Sequence, residues 1–310
     1  LSLHRLKGEI RRSASCIHVH TTTGLESLDL LLLLLFRWTR LPVVRTVHEV
    51  TAAERSRPPT AFERWMGRLH LRMADALIVH DERTRERLRD IPGMRGARIT
   101  VIPHGNYLVF SRIRKPETAV PRPDAHPVVL FFGIKHNKGI EVFIRAIREL
   151  QAEGFPVRPL FAGRVTPGDE GLLGSIGQLK NAEVRPGYIP NADLWKVYEA
   201  CDMVALPYLR GTTSGAIHLA YAFRRPVIAS DLECFRDVVV DGTTGLIVPR
   251  GDSGALAAAI RRMCEDPVAR ARMGEEGHRL ASSPEYGWDA IAGRTLDVYR
   301  DTVRRNRWRT

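Results

Sequence analysis

The chain has 310 residues, of which 44% are hydrophobic and 26% charged, a composition that is ordinary for a soluble globular protein with room for two domains. The formal net charge of +12 suits an anionic partner such as a nucleoside diphosphate, a polyprenyl phosphate, an acidic lipid or a nucleic acid, with a merely solvated basic surface as the alternative. The four cysteines include no C-x-x-C pair, which argues against a disulfide framework or a zinc site and for a reducing, cytoplasmic compartment.

The first hundred residues alternate short apolar segments with amphipathic ones. The apolar segments predict buried strands, which fall at Cys16–His20, Pro42–His48, Ala74–Val79 and Arg98–Ile102. A helix is predicted between the last two, at Glu82–Asp90. Strands that alternate with helices in this way indicate a parallel sheet.

Two further segments of this half bear on membrane contact. The run Leu30–Phe36 is the most apolar stretch, but it is far shorter than the ~20 residues that span a bilayer, so it predicts a buried helix. The segment 55–72 carries arginines on one helical face, while its other face comprises Phe62, Trp65, Met66 and Leu69. Such a basic helix either packs on its own domain or lies on an anionic membrane surface, for example peripherally at the inner face of the membrane.

A second domain is predicted after a proline-rich linker. Residues 111–127 contain four prolines and several charges, which is typical of a domain boundary. Val128–Phe132 then begins a new series of strands and helices. We therefore expect a first domain at 1–110, a second domain at 128–285, and a terminal helix at 286–310 that crosses back to the first domain.

The sequence around residue 215 combines a strand, a small-residue turn and a helix. Met203–Tyr208 predicts a buried strand, and Gly211–Pro226 supplies a turn and the helix that follows it. Ser214 is a candidate N-cap, and Gly215 lets another group approach the backbone closely. The free N–H groups and the dipole at such a helix start can bind an anion, although an ordinary capped helix is the alternative reading.

These segments resemble the donor-binding element of the GT-B glycosyltransferases, in particular the large retaining family 4. The resemblance rests on Leu206–Tyr208, Ser214–Gly215, Arg225–Ser230 and the turn Asp241–Asp252, which occur in the family's order. It implies an α/β fold with two Rossmann-like domains. Elements that the family places ahead of Cys16–His20 are absent, so we expect the N-terminal domain to be incomplete.

The chain departs from the family at its E-x7-E pair. Counted back from Pro226, the two glutamates would fall at Gly211 and Leu219, and neither residue is acidic. The resemblance therefore supports the fold, while the chemistry of the two glutamates cannot be transferred to this chain.

The resemblance also implies a donor site. The family's G-R-x-x-x-x-K-G loop corresponds to Gly133–Gly139, in which Lys135 and Lys138 are the candidates for gripping the donor diphosphate, together with Ser214 and Gly215. Two lysines beside a helix N-terminus suit a diphosphate leaving group, and simple solvated lysines are the alternative. The loops after neighbouring strands surround the nucleotide in the family, which makes candidate neighbours of Gly133, Gly163, Arg164, Tyr188 and Ile189.

His48 is the candidate catalytic residue. It follows a predicted strand and matches the family's T-x-H histidine, whose imidazole reaches the transferred sugar. A histidine at the carboxyl end of a parallel strand is on the ligand side of an open sheet, and it can donate a hydrogen bond to a hydroxyl. A loop histidine with a local partner is the alternative.

The resulting hypothesis is a retaining glycosyltransferase that moves a sugar from a UDP- or GDP-sugar to a sugar or lipid-linked hydroxyl, in polysaccharide or glycolipid assembly. No D-x-D motif occurs, and no metal, cofactor or nucleic acid is expected. The alternative is a catalytically inactive, glycosyltransferase-like protein that binds a nucleotide or a partner. A nucleic-acid binder, which rests on charge alone, and a sugar-nucleotide epimerase are further alternatives.

Overall fold

The computed structural model describes residues 13–20, 34, 36–48, 60–113, 126–165, 168–211 and 215–306. The chain divides into two compact units, of which the first combines Leu1–Gly105 with Pro284–Thr310 and the second is Asn106–Ser283. The domain boundaries predicted at 110, 127 and 285 stay predictions.

The first unit contains a parallel sheet of four strands in sequential order. The strands are β1 (Ile17–Val19), β2 (Val43–Thr46), β3 (Ala76–Val79) and β4 (Ile99–Val101), each inside a predicted strand. The helices of this unit with described bounds are α1 (Ala61–Arg72), α2 (Glu82–Asp90) and, from the far end of the chain, α11 (Trp288–Asn306).

Alternating side chains of this sheet point into two different cores. On one face Leu77 and Val79 pack with Leu88 of α2. On the other face, Val44 and Ile78 belong to a cluster that α11 completes with Ile291 and Val298. Both faces of the strands are therefore buried, as the continuous apolar strand segments predict.

Helix α1 does not bury its predicted apolar face as a whole. Met66 is buried, whereas Phe62 and Trp65 are 63% and 53% exposed, with ring centroids 6.0 Å apart. Among the described helices, none has both the length and the apolar character that crossing a bilayer requires.

The second unit contains a six-stranded parallel sheet of order β10-β9-β8-β5-β6-β7. Its strands are β5 (Val128–Ile134), β6 (Arg158–Val165), β7 (Glu183–Pro186), β8 (Met203–Leu206), β9 (Val227–Ser230) and β10 (Gly245–Val248). Counted from β5, this is the doubly wound 3-2-1-4-5-6 order, in which the strand order reverses between β5 and β8. Ligands of such sheets bind outside the carboxyl ends of the strands near that reversal.

Helices cover both faces of this larger sheet. They are α3 (Leu108–Arg112), α4 (Ile140–Ala152), α5 (Gly171–Gly177), α6 (Leu194–Glu199), α7 (Gly215–Ala222), α8 (Glu233–Arg236), α9 (Ser253–Glu265) and α10 (Pro267–Ala281). Phe131, Phe143 and Phe161 stack in one core, with ring centroids 5.3–6.0 Å apart. Full burial of a side chain of this size stabilises the fold by about 1.5–3 kcal/mol, so this core holds β5 and β6 rigidly under their exit loops.

Helix α3 spans the boundary predicted at 110 and contacts α6 and α7 of the second unit. One local expectation needs correction. The segment Asp241–Asp252, predicted as a turn, contains strand β10. The first residue of this strand, Gly245, must be a glycine because a Cβ there would lie 2.3 Å from the Val227 carbonyl oxygen of β9.

Candidate functional site

A pocket of about 360 Å³ lies at the carboxyl edge of the larger sheet. It brings together residues at or just after the carboxyl ends of three adjacent strands, β5, β6 and β7. All five residues predicted as nucleotide neighbours line it: Gly133, Gly163, Arg164, Tyr188 and Ile189. These residues are up to 56 positions apart in the chain, and the sheet order makes them neighbours.

Three glycines at the ends of β5, β6 and β7 form the floor of this pocket. Gly133, Gly163 and Gly187 have φ of 86°, 113° and 109°, a region that side-chain-bearing residues rarely adopt. A Cβ on Gly163 would lie 3.0 Å from the backbone nitrogen of Gly133, and the N–H of Gly187 donates to the Gly163 carbonyl at 3.0 Å. Neighbouring protein atoms therefore require glycine at 133 and 163, whereas the space beside Gly187 is open.

Lys138 lies directly beside this floor. Its ammonium group donates to the Phe132 carbonyl at 3.1 Å and lies 5.2 Å from the ring centre of Tyr208, which follows β8. A Cβ on Gly133 would lie 2.6 Å from the Lys138 Nζ, so glycine makes space for the ammonium. The positive charge is thus held at the reversal between β5 and β8.

Lys135 occupies a different position. It precedes the 3₁₀ turn His136–Lys138 in an extended conformation and is half-buried. Neither Lys135 nor Lys138 is among the residues that line the pocket, and the difference is that the ammonium group of Lys138 lies against Gly133 at its floor. Gly139 ends the same turn with a φ of 74°. Glycine is needed at this position because a Cβ there would overlap the Pro207 carbonyl oxygen.

The start of helix α7 is described from Gly215 onward. Gly215 lies against the ring of Tyr107, which lines the pocket. Ser214, predicted as an N-cap, lies outside the described residues together with Thr212 and Thr213. The position of Gly215 next to a pocket residue is therefore the only described part of the predicted helix-start site.

The walls of the pocket are largely apolar. Tyr107, Phe110, Phe132 and Leu219 line it, and Leu219 is only 7% exposed. At the rim, the guanidinium of Arg164 lies 4.8 Å from the ring centre of Tyr188, which joins the loops after β6 and β7 by a cation–π contact. Leu219 stands at the position of the second family glutamate, so this wall offers no carboxylate.

His48 lies in the first unit, in a row of imidazoles along the carboxyl edge of the smaller sheet. The row comprises His20, His48, His80 and His104, which follow β1, β2, β3 and β4 in turn. Neighbouring ring centres are 5.7, 4.9 and 5.5 Å apart. The sequence contains a signal for this row, since each histidine lies at or just after the end of a predicted strand, although the family resemblance points to His48 alone.

Two histidines of this region are held in the neutral form. The pKa of His80 is lowered from 6.5 to about 4, mainly by burial and also by the charges of His48 and His104. Burial likewise lowers the pKa of His18 to about 4, assisted by repulsion from His20 and His48. His18 bonds Thr46 and Tyr299 through its two ring nitrogens, at 2.8 and 2.6 Å.

The histidine row is not arranged as a metal centre. Within the parts of the chain that the structure describes, no group of three or more His, Cys, Asp or Glu side chains could hold a metal ion. Within the row, the Nε2 of His80 lies 3.1 Å from the Nδ1 of His48, which is hydrogen-bond distance.

Both halves of the chain match models of known protein families. The model described as "Glycosyltransferase Family 4" matches residues 2–106, and that described as "Glycosyl transferases group 1" matches residues 126–266. The chain is 28% identical over 268 residues to the alpha-D-kanosaminyltransferase of Streptomyces kanamyceticus, an alignment that covers 82% of this chain and 67% of the relative. It is 29% identical over 262 residues to the phosphatidyl-myo-inositol mannosyltransferase of Mycobacterium leprae, covering 83% and 67%.

Solved structures show the same architecture. Sucrose-phosphate synthase from Thermosynechococcus elongatus superposes with a TM-score of 0.76 at 23% identity, over 96% of this chain and 76% of that one. Anabaena HepE in complex with UDP gives a TM-score of 0.76 at 17% identity, over 96% and 82%. The chain therefore has the GT-B fold and belongs to the group 1, family 4 glycosyltransferases, enzymes that transfer sugars.

Proposed function

We propose that this protein transfers a sugar from a nucleoside diphosphate sugar to a hydroxyl group, with retention of anomeric configuration and without a metal ion. The observation that carries the proposal is the pocket in which the five predicted nucleotide neighbours meet beside the ammonium group of Lys138. Curated relatives that are named kanosaminyl- and mannosyltransferases support sugar transfer.

The pocket suits the nucleoside part of the donor. Its volume falls within the roughly 300–1,000 Å³ of small-molecule sites, and its apolar walls match the face of a planar base. The solved HepE complexes contain UDP and UDP-glucose, which supports a UDP-sugar as the first donor to test and a GDP-sugar as the alternative.

Lys138 is proposed to stabilise the departing diphosphate. Negative charge develops on the leaving oxygen as the glycosidic bond breaks, so a preorganised cation there lowers the barrier. Glycine at position 133 makes room for this ammonium group at the end of β5, where the diphosphate is proposed to lie. Lys135 and the N–H groups near Ser214 and Gly215 are the further proposed contacts of the diphosphate.

His48 is proposed to position the transferred sugar, and the acceptor is proposed to be a sugar or lipid-linked hydroxyl. Relatives named phosphatidyl-myo-inositol mannosyltransferase and lipopolysaccharide core biosynthesis mannosyltransferase support a role in glycolipid or polysaccharide assembly. The exposed aromatic pair of α1, Phe62 and Trp65, is the proposed contact with an anionic membrane surface at its cytoplasmic side.

One observation favours a second candidate, a nucleotide-binding protein without transferase activity. Leu219 lines the pocket where the family's glutamate would accept hydrogen bonds from the donor, and a leucine cannot accept them. In this case the pocket would bind a nucleoside diphosphate, and no donor would be consumed.

The test compares ligand binding with turnover. Thermal unfolding is measured with UDP, GDP and their glucose and mannose derivatives, and a ligand at a hundred times its Kd adds about 2.7 kcal/mol of stability. Lys138→Ala should weaken binding of the diphosphates but hardly that of the nucleosides. The control is Lys180→Ala, which removes an exposed lysine of the same unit.

The outcomes separate the two candidates. The transferase is supported if one nucleotide binds, if Lys138→Ala weakens that binding, and if the nucleotide is released from its sugar. Binding without donor consumption supports the second candidate. Equal binding by Lys138→Ala and Lys180→Ala would contradict the role of Lys138.

A further inference from the structure

We propose that His80 is a positioning residue that holds neutral His48 as its Nδ1–H tautomer, so that the Nε2 of His48 accepts a hydrogen bond from a hydroxyl of the sugar. The inference deepens the proposed function, since it rests on the proposed contact between His48 and the transferred sugar. It assigns the direction of that contact and names the residue that sets it.

The argument begins at the backbone carbonyl of Ile102. The Nδ1 of His80 lies 3.0 Å from this oxygen, and a carbonyl oxygen can only accept a hydrogen bond. The proton of His80 is therefore on Nδ1. A neutral imidazole carries a single N–H, so the Nε2 of His80 has a lone pair and is an acceptor.

The surroundings of His80 keep it neutral at physiological pH. The pKa of His80 is lowered to about 4, mainly by burial and also by the charges of His48 and His104. The bond to Ile102 and the nearby Asp81 act in the opposite direction. The Asp81 carboxylate accepts from the backbone and the hydroxyl of Thr84 at the start of α2, at 2.6 and 2.8 Å.

The acceptor on His80 determines the proton position on His48. The Nε2 of His80 lies 3.1 Å from the Nδ1 of His48, so His48 donates from Nδ1. When His48 is neutral, its Nε2 then carries the lone pair. This differs from the expectation from sequence, in which His48 donates to the sugar, because only protonated His48 can donate from both nitrogens.

The sheet itself fixes the distance between the two rings. Strands β2 and β3 are parallel with Thr46 opposite Ile78, so His48 and His80 both lie two residues past this pair. The N–H of Val47 donates to the Ile78 carbonyl, and that of Ile102 to the Val79 carbonyl, both at 2.8 Å. The chain from Ile102 through His80 to His48 is thus built on three adjacent strands.

The test observes the tautomer directly. The full chain is labelled with ¹⁵N-histidine, and long-range ¹H–¹⁵N spectra are recorded at pH 7.5, with His48→Gln to assign the signals. We expect a protonated-type Nδ1 and an unprotonated-type Nε2 for His48. In His80→Phe, which has no acceptor, neutral His48 should shift toward the Nε2–H form.

Two further variants make the test specific. In His80→Gln the amide N–H can still donate to Ile102 and its oxygen can still accept from His48, so the tautomer should be retained. His104→Gln, which changes another histidine of the row, should leave the tautomer unchanged. An Nε2–H form of His48 in the wild-type chain, or an unchanged tautomer in His80→Phe, would overturn the inference.

Kinetics distinguish failure of the inference from failure of the proposed function. We expect His80→Phe to lower kcat/KM for the sugar donor by about tenfold, the factor of one hydrogen bond, and His80→Gln to restore it. Full activity of His80→Phe with the shifted tautomer would overturn the inference. The expected tautomer in a chain that consumes no donor contradicts the proposed function and leaves the positioning of His48 by His80 established.

Discussion

Gly215 and Tyr107 are in direct contact across the second unit: a Cβ at position 215 would lie 2.7 Å from the Tyr107 hydroxyl oxygen and 2.8 Å from its Cε2. Tyr107 belongs to the segment that leads into helix α3, whereas Gly215 is the first residue of α7. The ring of Tyr107, which lines the pocket, thus occupies the space that a side chain at position 215 would need.

We expect Gly215→Ala to weaken nucleotide binding, because the new methyl group must displace the Tyr107 ring. The control is Gly174→Ala in helix α5, where nothing lies within 4 Å of the added Cβ. That control should leave the affinity unchanged and raise the free energy of unfolding by about 1 kcal/mol at most. Calorimetric titration with UDP measures the affinities, and equal affinities of the two variants would contradict the assigned contact.

Gly163 and Gly187 offer a comparison between a crowded and an open glycine. Both have φ near 110°, so alanine at either site is strained by about 1–3 kcal/mol. Only the Cβ at 163 would also crowd Gly133, at 3.0 Å, since nothing lies within 4 Å of the Cβ at 187. We therefore expect Gly163→Ala to lower the free energy of unfolding by more than Gly187→Ala, measured by urea titration. Equal losses in the free energy of unfolding would contradict a cost from the contact with the Gly133 backbone.

Leu219 gives a test of the missing carboxylate. Replacing it with glutamate places an acceptor on the pocket wall, and a hydrogen bond between a carboxylate and a hydroxyl stabilises by about 1.5–3 kcal/mol. Leu219→Glu should tighten UDP binding severalfold while destabilising the fold, because the site is buried. Leu219→Met, which conserves volume, is the control. Unchanged or weaker UDP binding by Leu219→Glu would indicate that the ribose does not approach this wall.

The two neutral histidines predict how stability depends on pH. His18 and His80 have folded-state pKa values of about 4, below the ordinary value of 6.5, so the unfolded chain binds more protons in between. Their contribution to the free energy of unfolding is fully present above pH 6.5 and is lost as the pH falls toward 4. The urea midpoint should fall between pH 7 and pH 4.5, and less steeply in His80→Gln and His18→Gln. A slope that neither substitution reduces would contradict the assignment.

The sequence predicts the four strands of the first sheet, and β5 and β8 of the second, from their apolar segments. It assigns the segment that contains β10 to a turn. The five residues that the resemblance names as nucleotide neighbours line one pocket, because the carboxyl ends of adjacent parallel strands meet at one edge. Their contact with a nucleotide stays a prediction. The sequence does not predict Tyr107 and Phe110 as pocket residues, because both precede the proline-rich segment and the local pattern assigns them to the first domain. Nothing in a local pattern reveals packing between helices distant in the chain.

The histidine row shows a different limit. Each histidine lies at or just after the end of a predicted strand, but contact between His48 and His80 depends on β2 and β3 being neighbours in register, which the sequence does not specify. Similarly, Lys135 and Lys138 look equivalent in sequence, but it is the ammonium group of Lys138 that the structure places against Gly133 and the Phe132 carbonyl. Strand order and side-chain direction thus decide which of several plausible residues reach a site.

The packing of α11 on the first sheet has a consequence for the order of folding. Ile291 and Val298 complete the core around Val44 and Ile78, and Tyr299 bonds His18, in each case across more than 210 residues of the chain. During synthesis this face of the first sheet stays uncovered until residues 288–306 have left the ribosome, while the second unit already has all of its strands. We therefore expect the second unit to fold first, and the first sheet to be the part most exposed to aggregation before release.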